Sequence, residues 1–298
     1  MQNRYLIITP AFNEGKYIEN TIKSVLSQTC KPIVWIIVDD GSMDNTANIV
    51  QLYAKEYDWI KYVFRSKIAG QSYYASNVYA IQEGLKHASH IDYDFIAILD
   101  ADITLVPEYY EVILAKFQKY RELGIATGTY LEKEGDSWVE ARIDRRSTPK
   151  AIQVFRRKCY EQCGGYIPFK NGGEDSGMEI IARMNGWQTW SFPEIKVFHN
   201  RPVGTGDGRS LLKARFRLGL TDYCLGTHPL FMLVKACKRC IWEKPYIISG
   251  LMRLSGYLYG FLKQEHRQLP VEAQLYLRKE QLRRLISFCM NKTFWKPY

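Results

Sequence analysis

Asp100-Ala101-Asp102 closes an apolar run, Phe95 to Leu99, and two carboxylates one residue apart at such a place are hard oxygen ligands suited to Mg²⁺ or Mn²⁺. A divalent cation held there could bind a diphosphate and neutralise the charge that develops as it departs, a stabilisation on the order of several kcal/mol. The same pair could equally be a polar turn ending a strand. Two further polar segments follow apolar runs, Thr9-Pro10-Ala11-Phe12-Asn13-Glu14 and Asp39-Asp40-Gly41-Ser42. An aspartate in the second can accept hydrogen bonds from a base or ribose, while Pro10 and Phe12 offer rigid apolar surface to a nucleobase. His199 ends a later strand-like run, where a third metal ligand or a diphosphate donor could sit. Glu174 and Asp175 stand after a Gly-rich loop, where acids can cap the helix that begins near Ser176.

These side chains need a scaffold that brings strand ends together. Tyr5 to Thr9, Ile33 to Val38, Ile60 to Phe64 and Phe95 to Leu99 are short buried-type strands. Between them, GKYIENTIKSVLSQ and NTANIVQLYAKEY repeat apolar residues at three- and four-residue spacing and read as helices. That alternation predicts an α/β fold with a Rossmann-like, mostly parallel sheet flanked by helices, whose ligands gather at the carboxyl ends of the strands. Past Cys163 the pattern changes to a glycine-rich loop and a helix, then a strand from Thr189 to His199, then Asn200 to Arg209, a polar glycine-rich stretch of the composition expected of a lid. After that come apolar and basic helical stretches.

The ordered set TPAFNE, DDGSMDNT, LDAD followed by Pro107, and GGED at Gly172 to Asp175 resembles the GT-A glycosyltransferases of family 2, over roughly residues 5 to 200. The resemblance implies an inverting, metal-dependent transfer of a sugar from a nucleotide-diphosphate donor, a UDP-sugar by family frequency, to an acceptor hydroxyl. It places Pro10, Ala11, Glu14 and Asp40 around the nucleoside, Asp100 towards the ribose or a water on the metal, and Asp102 on the Mn²⁺ or Mg²⁺ that holds the diphosphate. Asp175, with Glu174 beside it, becomes the base that takes the acceptor's proton. Gly70 to Asn77 falls where such enzymes often carry a Gly…Ala-Arg-Asn stretch, so Asn77 joins the donor site while Ser76 replaces the arginine. Arg65 or Lys67 could supply the missing cation. The Gln-x-x-Arg-Trp signature of processive synthases is absent, which argues against a polymerising enzyme.

Charge divides the chain. Residues 226 to 298 carry 13 Lys/Arg against 4 Asp/Glu, and the remainder 28 against 27, out of a net +10. The basic residues of the tail are interleaved with Leu, Ile, Phe, Tyr and Trp, which favours an anionic membrane surface over nucleic acid, or else packing on the rest of the protein. Its longest stretches free of charge, Leu225 to Val234 and Leu254 to Leu262, fall short of the ~20 residues a spanning helix needs. The expected division is a catalytic domain over 1–225 and a helical extension over 226–298, with Val271 to Phe288 an amphipathic helix. The N-terminus runs directly into a strand without the pattern of a signal peptide, so the expected site of action is the cytoplasm, peripheral at the inner face of the plasma membrane and beside a glycan or polyprenyl-linked acceptor. Seven scattered cysteines are expected to be thiols, and the unequal spacings of Cys159/Cys163 and Cys237/Cys240 make a weak case for zinc. A sugar nucleotidyltransferase would carry an Arg-containing phosphate loop after the first strand, and a dinucleotide-dependent oxidoreductase a G-x-G-x-x-G turn; neither is present. A catalytically silent nucleotide-sugar-binding or assembly subunit is the remaining alternative.

Overall fold

A computed structural model describes residues 4–68, 70–134, 137–141, 143–201 and 210–290. The chain divides into two units, one of residues 1–170 and 174–203, the other of residues 171–173 and 204–298.

The first unit opens with β1 (Tyr5–Ala11), α1 (Ile18–Leu26), β2 (Val34–Asp39), α2 (Thr46–Glu56), β3 (Ile60–Phe64), α3 (Tyr73–His87) and β4 (Phe95–Ile98). It continues with β5 (Ile103–Thr104), α4 (Tyr109–Lys119), β6 (Leu123–Glu134), β7 (Ser137–Glu140), β8 (Val154–Arg156), α5 (Arg157–Gln162), α6 (Glu174–Met184) and β9 (Gln188–His199). Every residue of β1, β2 and β4 is buried, which is why these strands read as unbroken apolar runs. Burying each such Ile or Val contributes about 1.5–3 kcal/mol. The one polar side chain inside β1, Thr9, takes a hydrogen bond from the Trp35 indole at 2.9 Å.

Strands pair in the order β3-β2-β1-β4-β8-β6-β9-β5, with β7 on β6. The first four are parallel. Beyond β4 the sheet is mixed: β8 is antiparallel to β4 and β6, and β9 is parallel to β6 but antiparallel to β5. The reversal has a local cause. A short 3₁₀ turn, Lys150–Ile152, lies beside the carboxyl end of β4, its Ala151 carbonyl accepting from the Asp100 amide at 2.9 Å, so β8 enters at that end and must run back. Pro193 falls where β9 slips register against β6, between Ser191 and Lys196, the irregular place in a strand that tolerates proline.

The second unit holds α7 (Leu211–Cys224), α8 (Pro229–Trp242), α9 (Ile248–Leu262) and α10 (Val271–Cys289). The expected boundary at residue 225 therefore moves: α7 goes with the tail rather than with the sheet. Its backbone touches that of α9, since a Cβ on Gly219 would lie 1.8 Å from the Arg253 carbonyl oxygen and one on Gly256 1.9 Å from that of Phe216. Only glycine allows so close a crossing. Gly256→Ala is expected to destabilise this unit by about 1–3 kcal/mol, the cost of forcing a packed core apart, read as a lower urea midpoint. Cys159, on α5, and Cys163, just after it, are buried, Cys237 and Cys240 lie on α8, and all six described cysteines are free thiols. Among the described residues no three His, Cys, Asp or Glu side chains form a group able to hold a metal ion, a four-thiolate zinc site included.

Candidate active site

The parallel registers bring the ends of β1, β2 and β4 to one edge. Ala11 lies opposite Asp39 and Ile8 opposite Ile98, so TPAFNE, DDGS and DAD emerge side by side. Asp39 is spent on the turn itself, accepting from the Ser42 amide and the Tyr62 hydroxyl at 2.8 and 2.9 Å. Asp40 is buried, with its carboxylate taken by the Arg65 guanidinium and the Ser76 hydroxyl. Arg65 also donates to Ser76 Oγ at 3.2 Å. An arginine from the end of β3 thus reaches the spot where Ser76 leaves the expected one missing. Asp40, expected to line the nucleoside pocket, stands there paired with Arg65 and Ser76. Lys67 instead stands 3.9 Å over the Phe12 ring. Pro10 and Ala11 are buried, and Asn77, on α3, has a buried Oδ1 with no partner among the described residues.

The second cluster joins residues far apart in sequence. Antiparallel pairing sets Ile103 against His199, so the neighbouring Asp102 meets the imidazole, Oδ2 to Nε2 at 3.2 Å. Asn200 fixes the corner by donating through its amide and side chain to the Asp102 carbonyl at 3.0 and 2.9 Å. Arg201 then bridges two acids, with Nε 2.5 Å from Asp102 Oδ2 and Nη2 2.6 Å from Glu14 Oε1. Asp100 does not join them. Its Oδ1 is held at 2.5 Å by Lys150, from the turn that runs beside it. Nothing in the periodicity of the sequence pointed to Lys150, and Arg201 was signalled only by its place two residues beyond His199. The other expected lid residues, 202–209, lie outside the described residues.

Burial is the main electrostatic influence. It pushes the Glu14 carboxyl up to about 7 against the pull of Arg201. At the start of α6, burial and the like charge of Asp175 push Glu174 up to about 7, and burial raises Asp175 too. Asp102 moves the other way: burial opposes its charge, but the His199 hydrogen bond and charge, with Arg201, outweigh it and hold the carboxyl below its ordinary value. Burial likewise disfavours a charged Lys150, yet Asp100 and Glu174 keep it above the usual lysine range. The Tyr73 hydroxyl, pushed up to about 12 by burial, feels Arg201, Asp100, Lys150 and Glu14 together. Lys150 is also felt by Asp175, so the acids at the start of α6 and the DAD turn share one field.

Four of these groups keep a buried polar atom without a hydrogen-bond partner among the described residues: Glu14 Oε2, Asp102 Oδ1, Glu174 Oε2 and His199 Nδ1. An unmet buried acceptor costs about 1–3 kcal/mol, so several together mark a place built for a ligand. The donor set fits a divalent cation. Mg²⁺ and its like are commonly bound through one or two carboxylates plus substrate phosphates rather than a full protein cage, and Asp102 with His199 supplies such a partial set. The three-ligand site expected of Asp100, Asp102 and His199 is not assembled, because Asp100 is turned to Lys150.

Arg201→Gln would leave Glu14 and Asp102 buried without their shared cation, a loss of about 3–5 kcal/mol when one partner of a buried pair is removed. The expected result is a lower melting temperature that Mn²⁺ partly restores, seen by comparing melts with and without the ion.

Residues 6–172 match the family model described as "Glycosyl transferase family 2". The poly-beta-1,6-N-acetyl-D-glucosamine synthase of Staphylococcus epidermidis is 33% identical over 117 residues, 39% of this chain and 26% of that protein; the chain thus aligns with about a quarter of this relative's length. Among solved structures, the mannosyltransferase PcManGT from Pyrobaculum calidifontis, in complex with GDP-Man and Mn²⁺, superposes with a TM-score of 0.58 at 15% identity, over 98% of this chain and 89% of that one. TarS 1-349 of S. aureus, in complex with UDP-GlcNAc, gives 0.56 at 14%, over 95% and 81%. At such identities the likeness speaks to the fold, an α/β GT-A sheet with C-terminal helices.

Proposed function

This chain belongs to glycosyl transferase family 2, and from that membership we propose an inverting, metal-assisted transfer of a sugar from a nucleotide-diphosphate sugar to an acceptor hydroxyl, in the synthesis of a surface polysaccharide or lipid-linked glycan. The observation that carries this reading is the buried Asp102 carboxylate, which faces His199 and Arg201 with one oxygen and leaves the other without a partner.

The donor's base would lie against Pro10, Ala11 and Phe12, with Asn77 and the Asp40–Arg65 pair presenting polar atoms. Asp102 and His199 would hold Mn²⁺ or Mg²⁺, which when bound supplies Lewis-acid neutralisation of the departing diphosphate. Arg201 and Lys150, each beside an acid of the site, would offer their positive charge to the diphosphate oxygens. Asp175 would accept the proton of the attacking hydroxyl. As it does so, the acceptor oxygen bonds to the anomeric carbon, the bond from that carbon to the diphosphate breaks, and its electron pair leaves on the diphosphate oxygen. One displacement with one base inverts the anomeric centre. A carboxylate suffices because the hydroxyl becomes acidic only as its bond forms.

A UDP-sugar is favoured: one fold neighbour was solved with UDP-GlcNAc and a sequence relative is named for a polymer of N-acetylglucosamine. A GDP-sugar, as in the other neighbour, is the competing choice. The acceptor class that suits a basic, aromatic second unit is a glycan carried on a polyprenyl diphosphate at the inner face of a membrane. The test is nucleotide release from a panel of UDP-, GDP- and dTDP-sugars, with and without Mn²⁺ and with and without lipid-linked acceptors. Release that needs both the ion and an acceptor supports the reading; pyrophosphate formation from sugar phosphate and nucleoside triphosphate would replace it with a nucleotidyltransferase.

A further inference from the structure

Helix α9 is built inside out. Its one charged residue, Arg253, is buried and paired with Glu243 at 2.9 Å, while its outward residues Ile248, Leu251, Leu258, Tyr259, Phe261 and Leu262 are from 41% to 78% exposed. The inward face is fixed by Gly250, Gly256 and Gly260, whose missing side chains let α9 close on Cys240, Phe216 and Tyr223. A surface helix normally turns its apolar stripe inward and its charges to water, so the outward stripe needs an occupant. The apolar surface continues across the turn before α9, where Ile241, Trp242, Tyr246 and Ile247 are all more than half exposed.

Charge identifies the occupant. Residues 210–290 carry 14 Lys/Arg against 5 Asp/Glu. Exposed Lys244 and Lys263 bracket α9, and exposed Lys238 stands 4.3 Å over the Trp242 ring. A second copy of the same basic surface would be repelled, whereas an anionic bilayer attracts each such cation by about 1 kcal/mol. Lysine stems and aromatic rings with a polar edge are the side chains that settle at a headgroup boundary. No described helix is long and apolar enough to cross a membrane, and α9, 15 residues or about 22 Å long, suits a position in the plane of the interface.

We propose that α9 and the turn before it lie in the surface of an anionic bilayer, with the stripe from Ile248 to Leu262 sunk to the acyl boundary and Lys238, Lys244 and Lys263 among the headgroups. The proposal rests on the reading of this chain as a transferase acting beside a lipid-linked acceptor, and names the part of it that meets the lipid. It is tested by flotation of the full-length protein with vesicles of phosphatidylcholine alone and mixed with phosphatidylglycerol. The wild type should float with the anionic vesicles, less so in high salt. Leu251→Glu/Leu258→Glu should bind them on the order of tenfold or more weakly, with an unchanged far-UV circular dichroism spectrum. Should that variant misfold, Lys238→Gln/Lys263→Gln takes its place, with weaker flotation expected on anionic vesicles only. Indifference of the wild type to vesicles, equal binding by wild type and a folded variant, or a variant that merely turns a dimer into a monomer would each overturn the proposal. Nucleotide-sugar binding measured on the same samples separates the two ideas, because flotation without donor binding would count against the transferase reading alone.

Discussion

Asp102→Asn is expected to abolish Mn²⁺-dependent binding of the nucleotide sugar and to lower transfer by roughly a thousandfold or more. The amide keeps the volume of the side chain and can still meet the His199 ring, so the sheet edge formed by β5 and β9 should survive. What disappears is the charge. Several kcal/mol of Lewis-acid stabilisation, at about 1.4 kcal/mol per tenfold, corresponds to about three powers of ten. A second consequence follows from Arg201, which in the wild type shares its guanidinium between Asp102 and Glu14. With Asp102 neutral, Arg201 is left to Glu14, and the ion has lost its buried carboxylate. Titration calorimetry of the donor with and without Mn²⁺ reads this directly; a variant whose donor affinity still rises with Mn²⁺ would remove Asp102 from the metal site.

Asp175→Asn should do the opposite: keep donor and metal binding, and lose transfer by about 10²–10⁴, the range of a positioned general base. If the pair only capped α6, a neutral cap would change stability slightly and leave transfer near its full rate. The pH profile adds a second readout. Burial raises both carboxyls, and their mutual repulsion lets them titrate as a pair, Glu174 at about 7. Transfer should therefore fall with decreasing pH already above the range of an ordinary aspartate, because burial raises the carboxyl of the base. Glu174→Gln, which removes the like charge next to Asp175, should move that limb to lower pH.

Strands β1, β2 and β4 were plain from the sequence because burial on both faces leaves them almost wholly apolar, and the acids at and beyond their ends could be named for the same reason. Glu174 and Asp175 were legible as the opening of a helix after glycines. The pairing of Asp102 with His199 could only be suspected, since it depends on β5, two residues long, meeting a strand almost a hundred positions away. Lys150 and Arg201 escaped entirely as partners of Asp100, Asp102 and Glu14. A cation that neutralises a buried acid from a loop has no period and no fixed spacing. In the tail, apolar spacing marked helices but not their orientation. The glycines at 250, 256 and 260 decide which face of α9 turns inward, through contacts with α7 and α8 that no local pattern records.

The most direct test of inverting transfer at this site is the anomeric configuration of the product. With a donor found by nucleotide release and an acceptor that accepts its sugar, proton NMR of the new linkage should show the configuration opposite to that of the donor, formed by the wild type and not by Asp175→Asn. A product that retains the donor's configuration, or one made at full rate by Asp175→Asn, would contradict a single displacement driven by that base.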